Sequence, residues 1–226
     1  MQGKLIVLEG VEGAGKSTQL QRLQLWLQDH PLVQTLQSQE HMADIIITRE
    51  PGGTILGKQL RELLLKSDGE KIMPTAELLL YAADRAQHVE TMILPALERG
   101  CWVLCDRYMD STVAYQGYGR ELHLGIIDQL NQIATDGLMG DLTLWLNLDV
   151  EEGLARTRKR GVADRMELSE VDFHRRVQTG FGALAEQYPD RIAVIDAHPA
   201  EAAVAEQIQQ VVEQRLKQWY QPYLKV

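Results

Sequence analysis

"KLIVLEGVEGAGKSTQL", residues 4–20, is the stretch that decides the fold of this chain of 226 residues. Its first part, "KLIVLE", is a short run of apolar, β-forming residues and predicts a buried strand. Its last part begins a predicted helix that continues beyond the stretch, because Leu20, Leu23 and Leu27 recur at helical spacing. A glycine-rich loop joins the two, so the chain begins with a strand, a loop and a helix.

This loop has the spacing of a phosphate-binding loop. Four of its residues fit the pattern G-x-x-x-x-G-K-[ST], namely Gly10, Gly15, Lys16 and Ser17. In that pattern backbone N–H groups surround phosphates, the lysine reaches the outer phosphates and the hydroxyl binds Mg²⁺. The N-terminus of the following helix adds N–H donors and a favourable dipole for anions. We therefore predict a nucleotide phosphate site, although Glu12 places a negative charge inside it.

Four further apolar runs predict strands, and helical patterns separate them. These runs are "DIIIT" at 44–48, "CWVLC" at 101–105, "LTLWLNL" at 142–148 and "RIAVI" at 191–195. Five near-continuous apolar strands alternating with helices predict an α/β fold whose five-stranded parallel sheet is covered by helices on both faces. We expect the longest helix to be capped by Thr75 and to extend to about Arg99.

The chain is predicted to form one domain over residues 1–226, because no repeat or low-complexity linker divides it. The segment "ARTRKRGVADR" carries five basic side chains within ten positions of an acidic chain. A solvated helix face is the usual explanation of such a run, but beside a phosphate loop a clamp on phosphate is favoured. We predict a mobile flap at 156–167.

Composition restricts the class of protein. With 45% hydrophobic and 24% charged residues, the chain can bury a sizeable core. Its net charge of −9 argues against a broad nucleic-acid surface, which needs many lysine and arginine contacts. No apolar run reaches the length of a membrane span and no signal-peptide pattern opens the chain, so we expect a cytoplasmic protein without a membrane partner.

Cys101 and Cys105 have neither redox nor zinc spacing and are expected in the core.

Chemistry is expected at the carboxyl ends of the strands, where open α/β sheets bind ligands. Arg49 follows the second predicted strand, and Asp106 and Arg107 follow the third. A carboxylate at the end of an apolar strand is where phosphate-loop enzymes place a residue that organises Mg²⁺. We expect Asp106 to fill that role.

Taken together, the motifs resemble the thymidylate kinase (dTMP kinase) family over essentially the whole chain. They are, in order, "EGVEGAGKST", "TREPGGT", "ELLLYAADRAQH", "DRYMDSTVAYQG", the arginine-rich flap and "VIDA". The resemblance implies the P-loop nucleoside-monophosphate kinase fold, ATP and Mg²⁺ as co-substrate and metal, and phosphorylation of dTMP to dTDP. It also suggests a homodimer.

The same resemblance assigns the ATP site and the catalytic groups. The residues expected to bind ATP are Gly10, Gly13, Ala14, Gly15, Lys16, Ser17 and Thr18. The expected Mg²⁺ ligands are Ser17 and Asp106. The residues expected to be catalytic are Lys16, Asp106, Arg107 and Arg158. One branch of the family carries an arginine where this chain has Gly13 and Ala14, so its absence points to the branch whose flap supplies that arginine. The match to the flap favours Arg158 over Arg156 and Arg160.

The dTMP site follows by position. The residues expected there are Glu12, Arg49, Tyr81, Arg85, Arg107, Thr112, Tyr115 and Gln116. Arg49 and Arg107 would clamp the acceptor phosphate, because guanidinium forks hold phosphate oxygens bidentately. Tyr81, where the family usually has phenylalanine, would stack on thymine, and Arg85 on the same helix face would hold its O4 atom.

The remaining dTMP contacts concern the base edge and the sugar. Thr112 and Gln116 would line the edge of the base, and Tyr115 would crowd the 2′ position. Glu12 would accept a hydrogen bond from the 3′-hydroxyl, which explains a carboxylate in a phosphate loop. Two departures from the family are Asn147, where relatives often have aspartate, and Gly140, where they often have proline.

Two alternatives stay open on the residues alone. The first is a kinase for another pyrimidine nucleotide, although Tyr81, Arg85 and Thr112 offer no obvious partner for the amino group of cytosine. The second is a nucleotide-binding switch protein, which would need no acceptor site and so no use for Arg49 or Arg107.

Overall fold

Five parallel strands form one sheet in the computed structural model of the chain, which describes residues 3–66, 70–161 and 164–221. The strands are β1 (Leu5–Glu9), β2 (Ile45–Arg49), β3 (Trp102–Asp106), β4 (Leu142–Asn147) and β5 (Ile192–Asp196). Their order across the sheet is β2-β3-β1-β4-β5, and every neighbouring pair is parallel. The predicted strands are thus confirmed, with small shifts at their ends.

Ten α-helices and two π-helical turns are found within the described residues. The α-helices are α1 (Lys16–Asp29), α2 (Pro31–Ser38), α3 (Ile55–Leu65), α4 (Pro74–His88), α5 (Leu94–Glu98), α6 (Met109–Thr112), α7 (Leu124–Thr135), α8 (Val150–Arg160), α9 (Val171–Gln187) and α10 (Glu201–Trp219). The π-helical turns are Val89–Ile93 and Val113–Gly119. Within this part of the chain, no helix is both long and apolar enough to cross a membrane.

The sheet has a hydrophobic core on each face, because both sides of its strands are apolar. On β1, Ile6 and Leu8 pack into one core, and Leu5 and Val7 pack into the other. Buried residues of α1, α9 and α10 belong to the first core, and residues of the turn at Val89–Ile93 belong to the second. The prediction of helices on both faces is therefore confirmed.

The longest predicted helix differs from the structure at its start and in its middle. Pro74 occupies the first turn and Met73 the cap position, so the expectation that Thr75 caps the helix is wrong. Proline is favoured at this position because its missing N–H needs no partner there. Further on, α4 passes through the π-helical turn at Val89–Ile93 before Pro95, which has no N–H for a regular helical bond.

The predicted flap at 156–167 is only partly described. Residues 156–160 form the end of α8, and residues 162 and 163 lie outside the described residues, as does the side chain of Arg160. At residue 165 the chain contacts the end of α3, where the Arg165 backbone N–H donates to the Leu65 carbonyl at 3.1 Å.

Candidate active site

The phosphate loop leaves β1 and enters α1 through glycines with left-handed backbone conformations. Gly15, with φ of 89°, forms the cap of α1. At Gly13, with φ of 75°, an added Cβ atom would lie 2.2 Å from the carbonyl oxygen of Gly153. The loop therefore packs backbone to backbone against α8. The buried ammonium of Lys16 donates to the carbonyls of Gly10 at 3.0 Å and Val11 at 2.9 Å.

A hydroxyl and a carboxylate meet beside this loop. The Ser17 hydroxyl donates to Asp106 Oδ2 at 2.8 Å. The strand register of β2 and β3 places Arg49 next to Asp106, at the carboxyl edge of the sheet. Among the described residues, no group of three or more His, Cys, Asp or Glu side chains could hold a metal ion. Two oxygen ligands are enough for Mg²⁺, because this ion is usually bound by one or two protein ligands together with water and the phosphates of a substrate.

Arg107 joins the phosphate loop to the loop after β3. Its Nη1 atom donates to the Gly10 carbonyl at 3.0 Å, and its Nη2 atom lies 2.5 Å from Glu12 Oε1. The Tyr115 hydroxyl donates to the same carboxylate oxygen at 3.2 Å, and the Arg107 guanidinium lies 4.8 Å from the centre of the Tyr115 ring. Three predicted site residues thus form one cluster.

Glu12 is ionised in this cluster. Burial by itself raises the pKa of Glu12, but the charges of Arg107 and Lys16 outweigh burial and hold the pKa at about 2. The carboxylate can therefore only accept hydrogen bonds at physiological pH.

Glu9, which the sequence did not single out, supports the loop that carries Arg107. Its buried carboxyl accepts from the backbone N–H of Tyr108 at 2.8 Å and of Ser111 at 3.1 Å, and from the Ser111 hydroxyl at 2.6 Å. Burial raises the pKa of Glu9 to about 7 despite the nearby charge of Arg107. As the last residue of a buried strand, Glu9 offered no local signal of this role.

A second pocket adjoins the phosphate loop, and we call it the acceptor pocket. The predicted dTMP residues among those that line it are Glu12, Tyr81, Arg85, Arg107, Thr112, Tyr115 and Gln116. Tyr81 and Arg85 come from α4, and the last three come from α6 and the π-helical turn that follows it. Arg49 instead lines the pocket on the phosphate loop, which we call the phosphate pocket.

The two pockets meet at a small set of charged residues. Glu12, Glu50, Arg61, Arg107 and Asp164 line both of them. Burial and the nearby charge of Arg49 lower the pKa of Arg61, so two cations are crowded together at this junction. The two cations repel each other, and an anion that binds between them would be attracted by both. Glu50, Arg61 and Asp164 were missed in the sequence, because a charged side chain on a helix or loop is usually only solvated.

Arg85 is held firmly inside the acceptor pocket. Its Nε atom donates to Glu50 at 2.8 Å, and its Nη1 atom donates to Thr112 at 2.7 Å and to Asn131 at 2.9 Å. Its Nη2 atom donates to the Tyr108 carbonyl at 3.0 Å. A guanidinium has five N–H groups, so one remains for a ligand. The Tyr81 ring lies one turn away, and burial raises the pKa of its hydroxyl, which stays protonated.

The flap arginines do not all face the site. Arg156 lines the phosphate pocket, where it also contacts Glu152 at 2.6 Å and the Ala197 carbonyl at 3.4 Å. Arg158 is exposed, and it is not among the described residues that line either pocket. In this conformation, therefore, Arg156 rather than Arg158 is close to the phosphate loop.

The two departures from the family lie on β4 and just before it. Asn147 accepts a hydrogen bond from Gln178 at 3.1 Å, which ties the end of β4 to α9. Gly140 packs beside Val7, since an added Cβ atom would lie 3.2 Å from its side chain. Neither residue is among those found to line the two pockets.

Comparison with known proteins agrees with this geometry. The family model for thymidylate kinase matches residues 8–208. A thymidylate kinase of Cyanothece sp. (strain PCC 7425 / ATCC 29141) is 57% identical over 228 residues and covers 97% of each chain. One of Trichodesmium erythraeum (strain IMS101) is 54% identical and covers 97% of this chain and 99% of its own.

A solved structure gives the same result. The thymidylate kinase of Ehrlichia chaffeensis has a TM-score of 0.74 and 30% identity to this chain, and the match covers 94% of this chain and 100% of the other. The predicted P-loop nucleoside-monophosphate kinase fold is confirmed. From its phosphate loop, its second pocket and its nearly full-length match to these enzymes, the chain belongs to the thymidylate kinase family.

Proposed function

We propose that the chain carries out the reaction of its family by transferring the terminal phosphoryl group of ATP to the phosphate of dTMP, giving ADP and dTDP. The observation that carries this proposal is the junction of the two pockets at Glu12 and Arg107. A protein that only binds or hydrolyses one nucleotide needs the phosphate pocket alone. Two adjoining pockets suit two nucleotides whose phosphates face each other.

On the donor side, the loop amides and Lys16 would hold the phosphates of ATP. The Lys16 ammonium donates to two backbone carbonyls here, and a charged phosphate oxygen is a stronger acceptor than either. Ser17 and Asp106 would hold Mg²⁺, which when bound neutralises charge on the phosphate oxygens.

On the acceptor side, three arginines would hold the phosphate of dTMP. Arg49 and Arg107 are the predicted clamp, and Arg61 adds a third cation at the junction of the pockets. Their charges would orient one phosphate oxygen toward the phosphoryl group of ATP and reduce repulsion between the two nucleotides. The ionised Glu12 would accept from the 3′-hydroxyl and exclude phosphate from that side of the sugar.

A cation from the flap would complete the charge stabilisation. Negative charge spreads over the transferring group, and Lys16 covers it from the loop side only. We assign Arg158 to the opposite side by resemblance, with Arg156 already in the phosphate pocket and able to hold ATP. Because Arg158 is exposed here, this role requires the end of α8 to move when the nucleotides bind.

We also propose a homodimer formed through the face of α3, α4 and α7. The described apolar side chains exposed on these helices include Ile55, Leu56, Leu63, Leu79, Ile126 and Ile133. The helices are neighbours, because α4 contacts both α3 and α7. Exposed apolar side chains grouped on neighbouring helices in this way are typical of a protein interface. The cytoplasmic location expected from the sequence stays a prediction.

A coupled assay of ADP release over a panel of monophosphates tests the reaction. With ATP and Mg²⁺ we expect fastest turnover of dTMP, slower turnover of dUMP, and near-background rates with dCMP, dGMP and dAMP. Comparable turnover of dCMP and dTMP would overturn the assignment of the base. Equal ADP release with and without any acceptor would instead indicate a nucleotide hydrolase or switch.

A further inference from the structure

Glu77 is a fully buried carboxylate in the first turn of α4, and it is not among the described residues that line either pocket. Three side chains from two other segments converge on it. Gln116 Nε2 donates to Oε1 at 2.9 Å, and Arg120 donates to both oxygens at 3.1 Å. Arg165, from the segment after α8, approaches Oε2 at 2.6 Å.

This carboxylate is ionised. Burial raises the pKa of Glu77, but the hydrogen bonds from Arg120 and Gln116 and the charges of Arg120 and Arg165 outweigh burial, so the pKa is lowered overall. An ionised carboxylate can only accept hydrogen bonds. Gln116 must therefore turn its NH₂ group toward Glu77. The structure places it so, with Nε2 at 2.9 Å from Oε1.

The fixed amide decides what Gln116 offers to a ligand. With its NH₂ group held by Glu77, the atom left for the acceptor pocket is the carbonyl oxygen Oε1. This oxygen accepts no hydrogen bond from any residue that the structure describes. Turning the amide over would bring two oxygen acceptors together in a buried place, which is costly.

The opposite side of the pocket offers donors. The Thr112 hydroxyl accepts from Arg85, so its own proton is free to donate, and Arg85 retains one N–H group. The pocket thus presents donors at Arg85 and Thr112 and an acceptor at Gln116. Thymine and uracil carry an acceptor at O4 beside a donor at N3, whereas cytosine carries a donor beside an acceptor.

We infer that Glu77 is a positioning residue that sets base specificity, because it holds the Gln116 amide with its carbonyl oxygen toward the N3–H group of a thymine base. The inference rests on the proposed function. Glu77 acts without touching the nucleotide, and its two arginine partners keep its negative charge balanced inside the protein. A cytosine base would meet an oxygen acceptor with its own N3 lone pair and be rejected.

The substitution Glu77→Gln tests this inference directly. With its oxygen kept at the Oε2 position, toward Arg120 Nη2 and Arg165, the new amide would place its NH₂ group at the Oε1 position, against Gln116 and Arg120 Nε. Gln116 would then turn its oxygen away from the ligand and present its NH₂ group to the acceptor pocket. We expect kcat/KM for dTMP to fall by about tenfold to a hundredfold, and the ratio of kcat/KM for dTMP over dCMP to fall at least about tenfold. The KM for ATP should change little.

A loss of folded protein alone would lower kcat/KM for dTMP and for dCMP by the same factor, so their ratio would stay unchanged. Glu77→Asp is the second variant, since it keeps the charge beside the arginines but draws the carboxylate back from the Gln116 amide, and it should also lower the ratio. Glu186→Gln, at an exposed position of α9, is the matched control. Whether the parent protein phosphorylates dTMP at all tests the proposed function, independently of the Glu77 variants.

If the parent phosphorylates dTMP and a folded Glu77 variant keeps the dTMP over dCMP ratio within about twofold of the parent, the inference is wrong. Thermal unfolding of each variant shows which of them are folded.

Discussion

Glu12 carries its charge at the junction of the acceptor pocket and the phosphate pocket. Glu12→Gln should leave ATP binding nearly unchanged, because Lys16 and the loop amides remain. It should weaken dTMP binding by roughly tenfold to a hundredfold, since a hydrogen bond to a charged acceptor contributes about 1.5–3 kcal/mol. Isothermal titration with each nucleotide would measure both affinities. Unchanged dTMP affinity with reduced ATP affinity would place Glu12 on the donor side.

Glu9 makes stability depend on pH. Its pKa is about 7 in the folded protein against an ordinary value of 4.5, so the folded state binds more protons between these values. The stability that this excess of protons supplies is fully present below about pH 4.5 and is lost as pH rises through 7.

Glu9→Gln removes that titration. Between pH 5.5 and 8, the free energy of unfolding should therefore fall less in the variant than in the parent, by on the order of 1–2 kcal/mol. Urea unfolding at the two pH values measures this difference. An equal fall in both proteins would show that Glu9 is ionised throughout the range. Glu12 does not confuse the result, because its low pKa confines its effect to acid pH.

At the scale of elements, α8 is placed by backbone contact with the phosphate loop. At Gly153 an added Cβ atom would lie 2.4 Å from the Glu12 carbonyl oxygen. Gly153→Ala should therefore push α8 away from the loop, destabilise the protein by about 1–3 kcal/mol and lower the catalytic rate.

The matched control is Gly182→Ala on α9, where an added Cβ atom would lie 3.8 Å from the Trp145 side chain, an ordinary van der Waals contact. Here alanine should stabilise the helix by about 0.5–1 kcal/mol. Thermal and urea unfolding compare the two variants. If both variants were more stable than the parent, α8 could move away from the phosphate loop at little cost, and the prediction for Gly153 would be wrong.

The end of α8 also carries the arginines of the predicted flap. We expect Arg158→Ala to lower the single-turnover rate by roughly 10³-fold with small changes in affinity, because its contact forms chiefly in the transition state. Arg158→Lys should restore only part of the rate, since a point charge cannot replace the guanidinium fork.

Arg156→Ala serves as the comparison on the same helix. Because Arg156 already lines the phosphate pocket, its loss should mainly raise the KM for ATP. The opposite pattern, a slow Arg156 variant and a fast Arg158 variant, would move the catalytic role to Arg156. Near-parental rates for alanine variants at 156, 158 and 160 would exclude the flap altogether.

At the scale of the whole molecule, the apolar face of α3, α4 and α7 predicts a dimer. Light scattering should give twice the 25.6 kDa of one chain. Ile133→Glu, at a side chain that is 76% exposed, should give a monomer, because burying a charge in an apolar interface is costly. Leu25→Glu, at an exposed site on α1, should remain a dimer. A monomeric parent would contradict the proposed interface.

The sequence by itself determined the strands, the phosphate loop and most of the residues that meet in the acceptor pocket. These follow from patterns a few residues long, such as the alternation of apolar runs with helices and the spacing of Gly15, Lys16 and Ser17. The rule that parallel strands end at one edge then brings Arg49, Arg107 and the loop together. The resemblance to a known family placed Tyr81, Arg85 and Gln116 in one pocket, which the structure contains.

Only the tertiary structure decided how buried charges are partnered and which way side chains face. Glu9 accepts from residues about a hundred positions away, and Glu77 accepts from Gln116 and Arg120 and pairs with the charge of Arg165. No local pattern encodes such pairs, because burial and partner depend on packing between distant segments. The direction of Arg156 and Arg158 likewise depends on the rotation of α8. The close contact between the backbones of Gly13 and Gly153, which are far apart in the sequence, is part of the packing that holds α8 in place.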